Sequence, residues 1–234
     1  MATSRQKAAK LKAEEYLKKL EIVRKSNEVN PFETKEEQRA RIARAKIDPE
    51  YMVETYLPHY AMAKCADFHI EFCKDVAADP LIKEFEEWGR GLAKSVYCNI
   101  IAPLWLWIRG EEVFMCLMSD SRERAQELLA DIQAELEGNP LLIHDFGEQR
   151  CEGDWEIGNF KTIDQRFIGM AFGIKKKVRG VRVKQRRPNL WVIDDLETPD
   201  TIANPKRMRK QADQIERDIL PTMTGPIRRL LYAN

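Results

Sequence analysis

Leu190-Trp191-Val192-Ile193-Asp194-Asp195, read with the upstream stretch Trp88-Gly89-Arg90-Gly91-Leu92-Ala93-Lys94-Ser95, decides the fold of this chain. Four apolar residues ending in two acids read as a buried parallel strand. Such a strand delivers its carboxylates to the carboxyl edge of the sheet, where α/β proteins bind ligands. Two adjacent buried acids repel each other unless a cation intervenes, so a metal is the natural resolution. The upstream stretch is a glycine-bearing loop that opens a helix. In the phosphate-binding pattern G-x-x-x-x-G-K-[ST], backbone N–H groups cradle phosphate oxygens, the lysine reaches the β/γ-phosphates and the hydroxyl ligates magnesium. Lys94 and Ser95 hold the last two positions. Trp88 and Ala93 stand where glycines are expected, and Gly89 and Gly91 are displaced. Alone, the loop also reads as an ordinary glycine turn, and Asp194-Asp195 also reads as a loop cap. In this order and at this distance they describe a site for a nucleoside triphosphate and Mg2+.

Outward from these motifs the chain alternates. A helix near 68–77 and a short strand precede the loop, although Lys83, Glu84, Glu86 and Glu87 suit a buried central strand poorly. Ser95 to about Trp107 reads as a helix that Pro103 should kink or end. Val113–Met118 is a strand. Ser121 caps a helix with apolar residues at 125, 128, 132 and 136, and Gly138 is placed just past its end. Residues 160–164 and 167–172 form a candidate strand pair. Asn204-Pro205 opens a helix striped by Met208, Ala212, Ile215 and Ile219, and 227–232 is a last strand. This alternation implies an α/β fold with a mainly parallel sheet covered on both faces. Ahead of it, residues 1–57 read as a charged helical segment separable from the domain at 58–234. Its signals are a capping box at Thr34 and Glu37, and Asp48-Pro49 at a helix start.

The 234 residues are 44% hydrophobic and 33% charged, which suits a soluble α/β domain. Cys98–Ile108 is too short to span a bilayer, so no membrane is expected. Residues 1–7 lead into charge and not into an apolar signal core, which predicts a protein that is not secreted. Five cysteines without a C-x-x-C pair point to reduced thiols, with Cys98 and Cys116 as small core residues. The net charge of +1 conceals two basic clusters. Residues 1–46 carry 13 Lys/Arg against 7 Asp/Glu, and residues 175–187 carry eight basic residues and no acid. Such clusters meet phosphate backbones or remain solvated faces.

The stretches GRGLAKS, LWVIDDLETPD and RRLLYAN, with FHIEF at 68–72 and VRGVR at 178–182, together resemble the ATPase domain of the large terminase subunit of tailed bacteriophages. That family uses a deviant loop, R-G-x-x-K-[ST], with an early arginine. The resemblance covers most of residues 55–234. It implies a P-loop NTPase fold of the ASCE/RecA-like kind that hydrolyses Mg-ATP and drives double-stranded DNA into a procapsid. By position it makes Gly89, Arg90, Gly91, Leu92, Ala93, Lys94 and Ser95 the phosphate loop, with Arg90 and Lys94 stabilising the transferring phosphoryl group. Ser95 and Asp194 become the Mg2+ ligands, and Asp195 the residue that polarises water. The family more often has glutamate there, and Glu197 stands nearby as the alternative. His69 falls at an adenine-side position, where a lone histidine also reads as an ordinary core or surface residue. Asn234 falls at the coupling position.

Lys175, Lys176, Lys177, Arg179 and Arg182 are candidate contacts to phosphate, DNA or a neighbouring subunit. The implied partners are duplex DNA, the portal protein, the terminase small subunit and further copies in a ring, although a monomer in isolation is also compatible. The implied setting is the host cytoplasm. No residues remain for the family's nuclease domain, so DNA cleavage is not expected of this chain. Two other readings stand beside this one: a different P-loop enzyme (helicase-like or a small-molecule kinase), and a non-catalytic DNA-binding or assembly module.

Overall fold

Among the described residues, seven strands form one sheet: β1 (Lys83–Glu86), β2 (Val113–Ser119), β3 (Arg150–Glu156), β4 (Asn159–Thr162), β5 (Phe167–Gly173), β6 (Leu190–Asp194) and β7 (Arg229–Ala233). The structure is a computed structural model and describes residues 4–174, 178, 180–197 and 203–233. The strand order is β1-β7-β6-β2-β5-β4-β3. The first five run parallel, and β4 and β3 close the far side antiparallel. β2 and β6 are buried on both faces because both sets of alternating side chains are apolar. Val113, Met115 and Leu117 join one core cluster, and Phe114, Cys116 and Met118 join the other. Leu190 and Val192 divide from Trp191 and Ile193 in the same way. Strands of this kind require cover on both sides.

The first face is covered by a helical run from Lys94 to Ile108 and by α7 (Arg122–Gly138). The second is covered by the loop through Val178 and by the segment that begins with α9 (Pro205–Gln214) and continues through Ile219 and Met223. The chain moves from β1 to β2 to β5 beneath the first face, then returns to β6 and β7 beneath the second, as right-handed crossovers demand. The expected pair at 160–172 is the β4–β5 hairpin, and β5 also pairs parallel with β2. β3, and the short α8 (Pro140–Phe146) that follows α7, are additions that irregular patterning concealed. The acidic composition of β1 is explained by its place at the sheet edge. It pairs only with β7, and Phe85 lies exposed and stacked on Tyr232 at 5.5 Å.

Pro103 does not end its helix. The run consists of α5 (Lys94–Val96), a π-helical turn (Tyr97–Ile101) and α6 (Ala102–Ile108). In the π turn the Ala102 N–H bonds to the Tyr97 carbonyl, five residues back. Proline has no N–H to offer and its ring crowds the carbonyl four residues earlier. A widened turn immediately before it absorbs that conflict while the axis continues.

Gly138 is likewise inside α7 and not past its end; Asn139 caps both α7 and α8. A Cβ at Gly138 would stand 3.0 Å from Leu20 of α1 (Ser4–Arg24), so the glycine admits a neighbouring helix. The N-terminal helices pack on the body of the fold, α1 through a small cluster of its own and the next two helices through the main core. Tyr16, Leu20 and Val23 pack on Ala130 and Ala134 of α7. Ala45 of α2 (Lys35–Ile47) and Met52, Val53 and Tyr56 of α3 (Pro49–Tyr56) belong to the same cluster as β2 and β6. The capping box at Thr34 and Glu37 is present, and Asp48 caps α3 as expected.

α2 is also held by charge. Arg41 forms ion pairs with Glu33 and Asp145, and Tyr56 donates to Asp145 at 2.5 Å. His144 lies 3.2 Å from Glu33. These two acids and the histidine lie close enough to suggest a metal cluster, but the Arg41 guanidinium already supplies the positive charge between the carboxylates. Among the described residues no helix is long and apolar enough to cross a membrane.

Candidate functional site

The site follows from the parity of β6. Leu190 and Val192 face the first side of the sheet, so Asp194 does too, toward the helical run that begins at Lys94. Its side chain is 1% exposed. Ser95 Oγ donates to Asp194 Oδ1 at 3.2 Å, and Asn99 Nδ2 donates to Asp194 Oδ2 at 2.6 Å. Burial pushes the Asp194 carboxyl above its ordinary range and the Asp195 charge adds to this; the Asn99 and Ser95 hydrogen bonds and the Arg124 charge oppose it. The two motifs therefore meet at the carboxyl edge of the sheet, although they lie on strands that are not neighbours.

The loop between β1 and α5 is fixed by packing at its start and by strain at its end. Trp88, at a position where a glycine was expected, sits in an aromatic group with Phe68, His69, Phe72 and Tyr97, with centroids 4.9–5.9 Å away. His69 is 9% exposed and lies in α4 (Asp67–Ala78). Its Nδ1 accepts from the Ala66 N–H at 3.2 Å, so its Nε2–H donates to the Leu92 carbonyl at 2.8 Å. Its ring stacks on Tyr97 at 4.0 Å. His69 thus closes the start of its own helix through Nδ1 and tethers the loop through Nε2. The Leu92 N–H turns back to Gly89 O at 3.2 Å, Gly91 takes φ +84°, and Ala93 takes φ +57°. A left-handed alanine costs about 1–2 kcal/mol, and strain of this sort gathers at functional sites.

No side chain caps the helix that starts at Lys94. The first N–H groups of a helix have no partner within it, and a helix start is a favourable place for phosphate oxygens. Gly89, Arg90, Gly91, Leu92 and Ala93 are all exposed. Lys94 folds back so that Nζ lies 3.5 Å from the Trp88 carbonyl. Glu86, at the end of β1, is buried. Burial and the neighbouring Glu84 push its carboxyl up, while a Trp88 hydrogen bond and the Lys94 charge pull it down.

Beyond Asp194 the chain leaves the strand. Asp195 takes φ +50°, its N–H bonds to Ala233 O at 3.3 Å, and its side chain is exposed. With Glu197 it lines a cleft whose far wall is the β2–α7 turn, including Asp120, Ser121 and Arg124. Tyr232 donates to Glu197 at 3.5 Å. Ala233 pairs with both Asp194 and Glu86. Arg182 is exposed on the β5–β6 loop. Lys175, Lys176, Lys177, Arg179 and Asn234 lie outside the described residues.

Ser95 and Asp194 are hard oxygen donors of the type that suits Mg2+, which keeps several waters and shares its shell with phosphate oxygens. The buried Asn99 Oδ1, which has no hydrogen-bond partner, adds unused polar capacity beside the carboxylate. The donor set fits the metal that the motifs imply. Sequence reading did not single out Asn99, Arg124 or the anchoring role of Trp88. For Asn99 a signal existed: it is a lone amide in the apolar run from Val96 to Ile108, four residues after Ser95. No protein-family model matches this sequence, and comparison with curated proteins finds no match.

Proposed function

We propose that this chain is a P-loop ATPase domain that hydrolyses Mg-ATP and couples hydrolysis to movement of double-stranded DNA, in the manner of the large terminase subunits that its motifs resemble. The observation that carries the reading is the 3.2 Å contact between Ser95 and Asp194, made beside an uncapped helix start and a strained glycine loop. On this reading the loop N–H groups and Lys94 hold the β/γ-phosphates, and Arg90 faces the transferring group. Ser95 and Asp194 hold Mg2+, which when bound neutralises charge on the phosphate oxygens. Asp195, exposed in its left-handed turn, orients the attacking water, with Glu197 as the alternative acid. Packaging into a procapsid through a portal, with a small subunit and further copies in a ring, extends the same proposal. The exposed Arg182, Lys184 and Arg187 support a nucleic-acid partner.

Steady-state ATP hydrolysis by wild type, Lys94→Ala, Asp195→Asn and Glu197→Gln, with and without duplex DNA, tests the proposal. Lys94→Ala and Asp195→Asn are each expected to lower kcat by about 100-fold or more. Turnover that survives both removes the site assignment. A wild type inactive under every condition, including conditions of assembly, favours the non-catalytic module.

A further inference from the structure

Among the described residues, Asn99 is the one strongly buried amide beside the site that the proposed chemistry does not use. It is 1% exposed and sits in the middle of the π turn at Tyr97–Ile101. π turns concentrate at functional sites. Its Nδ2 lies 2.6 Å from Asp194 Oδ2, while Ser95 Oγ holds Asp194 Oδ1 at 3.2 Å. Each carboxylate oxygen therefore has one donor, and the group is held at both ends. The orientation of the amide is fixed by chemistry, since its oxygen would repel an ionised carboxylate and its NH2 does not. That choice leaves Asn99 Oδ1 buried without a partner. A leucine would fill the same space without an orphaned acceptor. What the amide provides is a donor aimed at Asp194.

We infer that Asn99 is a positioning residue for Mg2+: it holds the Asp194 carboxylate in the orientation that receives the metal. The inference rests on reading Ser95 and Asp194 as the magnesium site. Groups that orient a ligating carboxylate set metal affinity without touching the metal.

The test measures binding of adenylyl imidodiphosphate by calorimetry, once in chelator and once with Mg2+, on wild type, Asn99→Leu and Asn99→Ser. Asn99→Ser keeps a polar side chain in the turn but is too short to reach Asp194, so it reports if the leucine variant does not fold. Both variants should bind the analogue as wild type does in chelator. The gain in affinity on adding Mg2+ should fall by roughly 10–100-fold. A folded variant that keeps the whole magnesium gain overturns the inference, even if its melting temperature drops, because a purely structural role predicts that pattern. A wild type that binds the analogue under neither condition overturns the reading beneath it instead.

Discussion

Ala93 and Asp195 approach the site from different strands, yet both adopt left-handed backbone, at φ +57° and +50°. Asp tolerates that region and alanine does so less readily. Ala93→Gly should leave the melting temperature near wild type, because the strain it removes is offset by added freedom in the unfolded chain. Ala93→Val, which is β-branched, should cost about 2 kcal/mol. Equal stability of the valine variant in thermal unfolding would contradict the strained loop end. Asp194 offers the opposite sign. It is an almost fully buried carboxylate next to a second acid. Asp194→Asn should therefore raise the melting temperature in chelator while abolishing the magnesium gain in nucleotide binding. A lower melting temperature would mean that the buried charge is better compensated than its neighbours suggest. At this scale the sequence was informative where a motif names a residue type, as at Lys94, Ser95 and Asp194. It marked Asn99 only as a lone amide in an apolar run, because the contact with Asp194 joins residues 95 positions apart.

The π turn, the α7 start and β1 show what single elements add. Val113–Ser119 and Leu190–Asp194 were legible because both faces of a central parallel strand must be apolar. β1 was hard to read because an edge strand escapes that demand, and α7 runs through Gly138 itself, where α1 packs. Pro103 was expected to kink or end a helix, and local proline rules do not show that a widened turn can precede it. Gly173 marks where β5 meets the first turn of α7. A Cβ there would stand 2.7 Å from the Arg122 backbone nitrogen and 3.1 Å from the Ser121 carbonyl carbon. Backbone atoms cannot rotate away as a side chain can. Gly173→Ala should destabilise the fold by about 1–3 kcal/mol and displace the β2–α7 turn that walls the cleft. Chemical denaturation checks the first effect, and an unchanged midpoint would show that the turn can move freely.

Across the whole molecule, the N-terminal helices are bound by apolar packing and by the Arg41 network. Asp145 has a side chain with 0% exposure and Arg41 has 13%. Arg41→Ala leaves a buried carboxylate uncompensated, at a cost of about 3–5 kcal/mol. Hydrogen bonding to Arg41 holds Glu33 below the ordinary carboxylate range. For Asp145, burial pushes upward, but the bonds from Arg41, Tyr56 and Gln38 outweigh it and the carboxyl ends up lowered. Folded values below the unfolded ones give stability that is present at neutral pH and is lost as pH falls below about 4. Wild type should lose stability steeply there, and Arg41→Ala should show a shallower acid limb in urea midpoints measured against pH. Parallel limbs would contradict the linkage. Charge patterning shows the solvent face of an N-terminal helix and not what its narrow apolar stripe meets, so the contacts of Tyr16, Leu20 and Val23 with α7 were not legible.

The position of β7 has a mechanical consequence. The strand leading to the loop and the strand bearing Asp194 are each hydrogen-bonded to β7 and not to each other. They stand two interstrand spacings apart, roughly 9.5 Å. The sheet is therefore a calliper with a locked jaw, its opening set by backbone ladders that no ligand can squeeze shut. Any grip on a bound molecule must come from above the sheet, where Gly89–Ala93 and Asp195 are exposed.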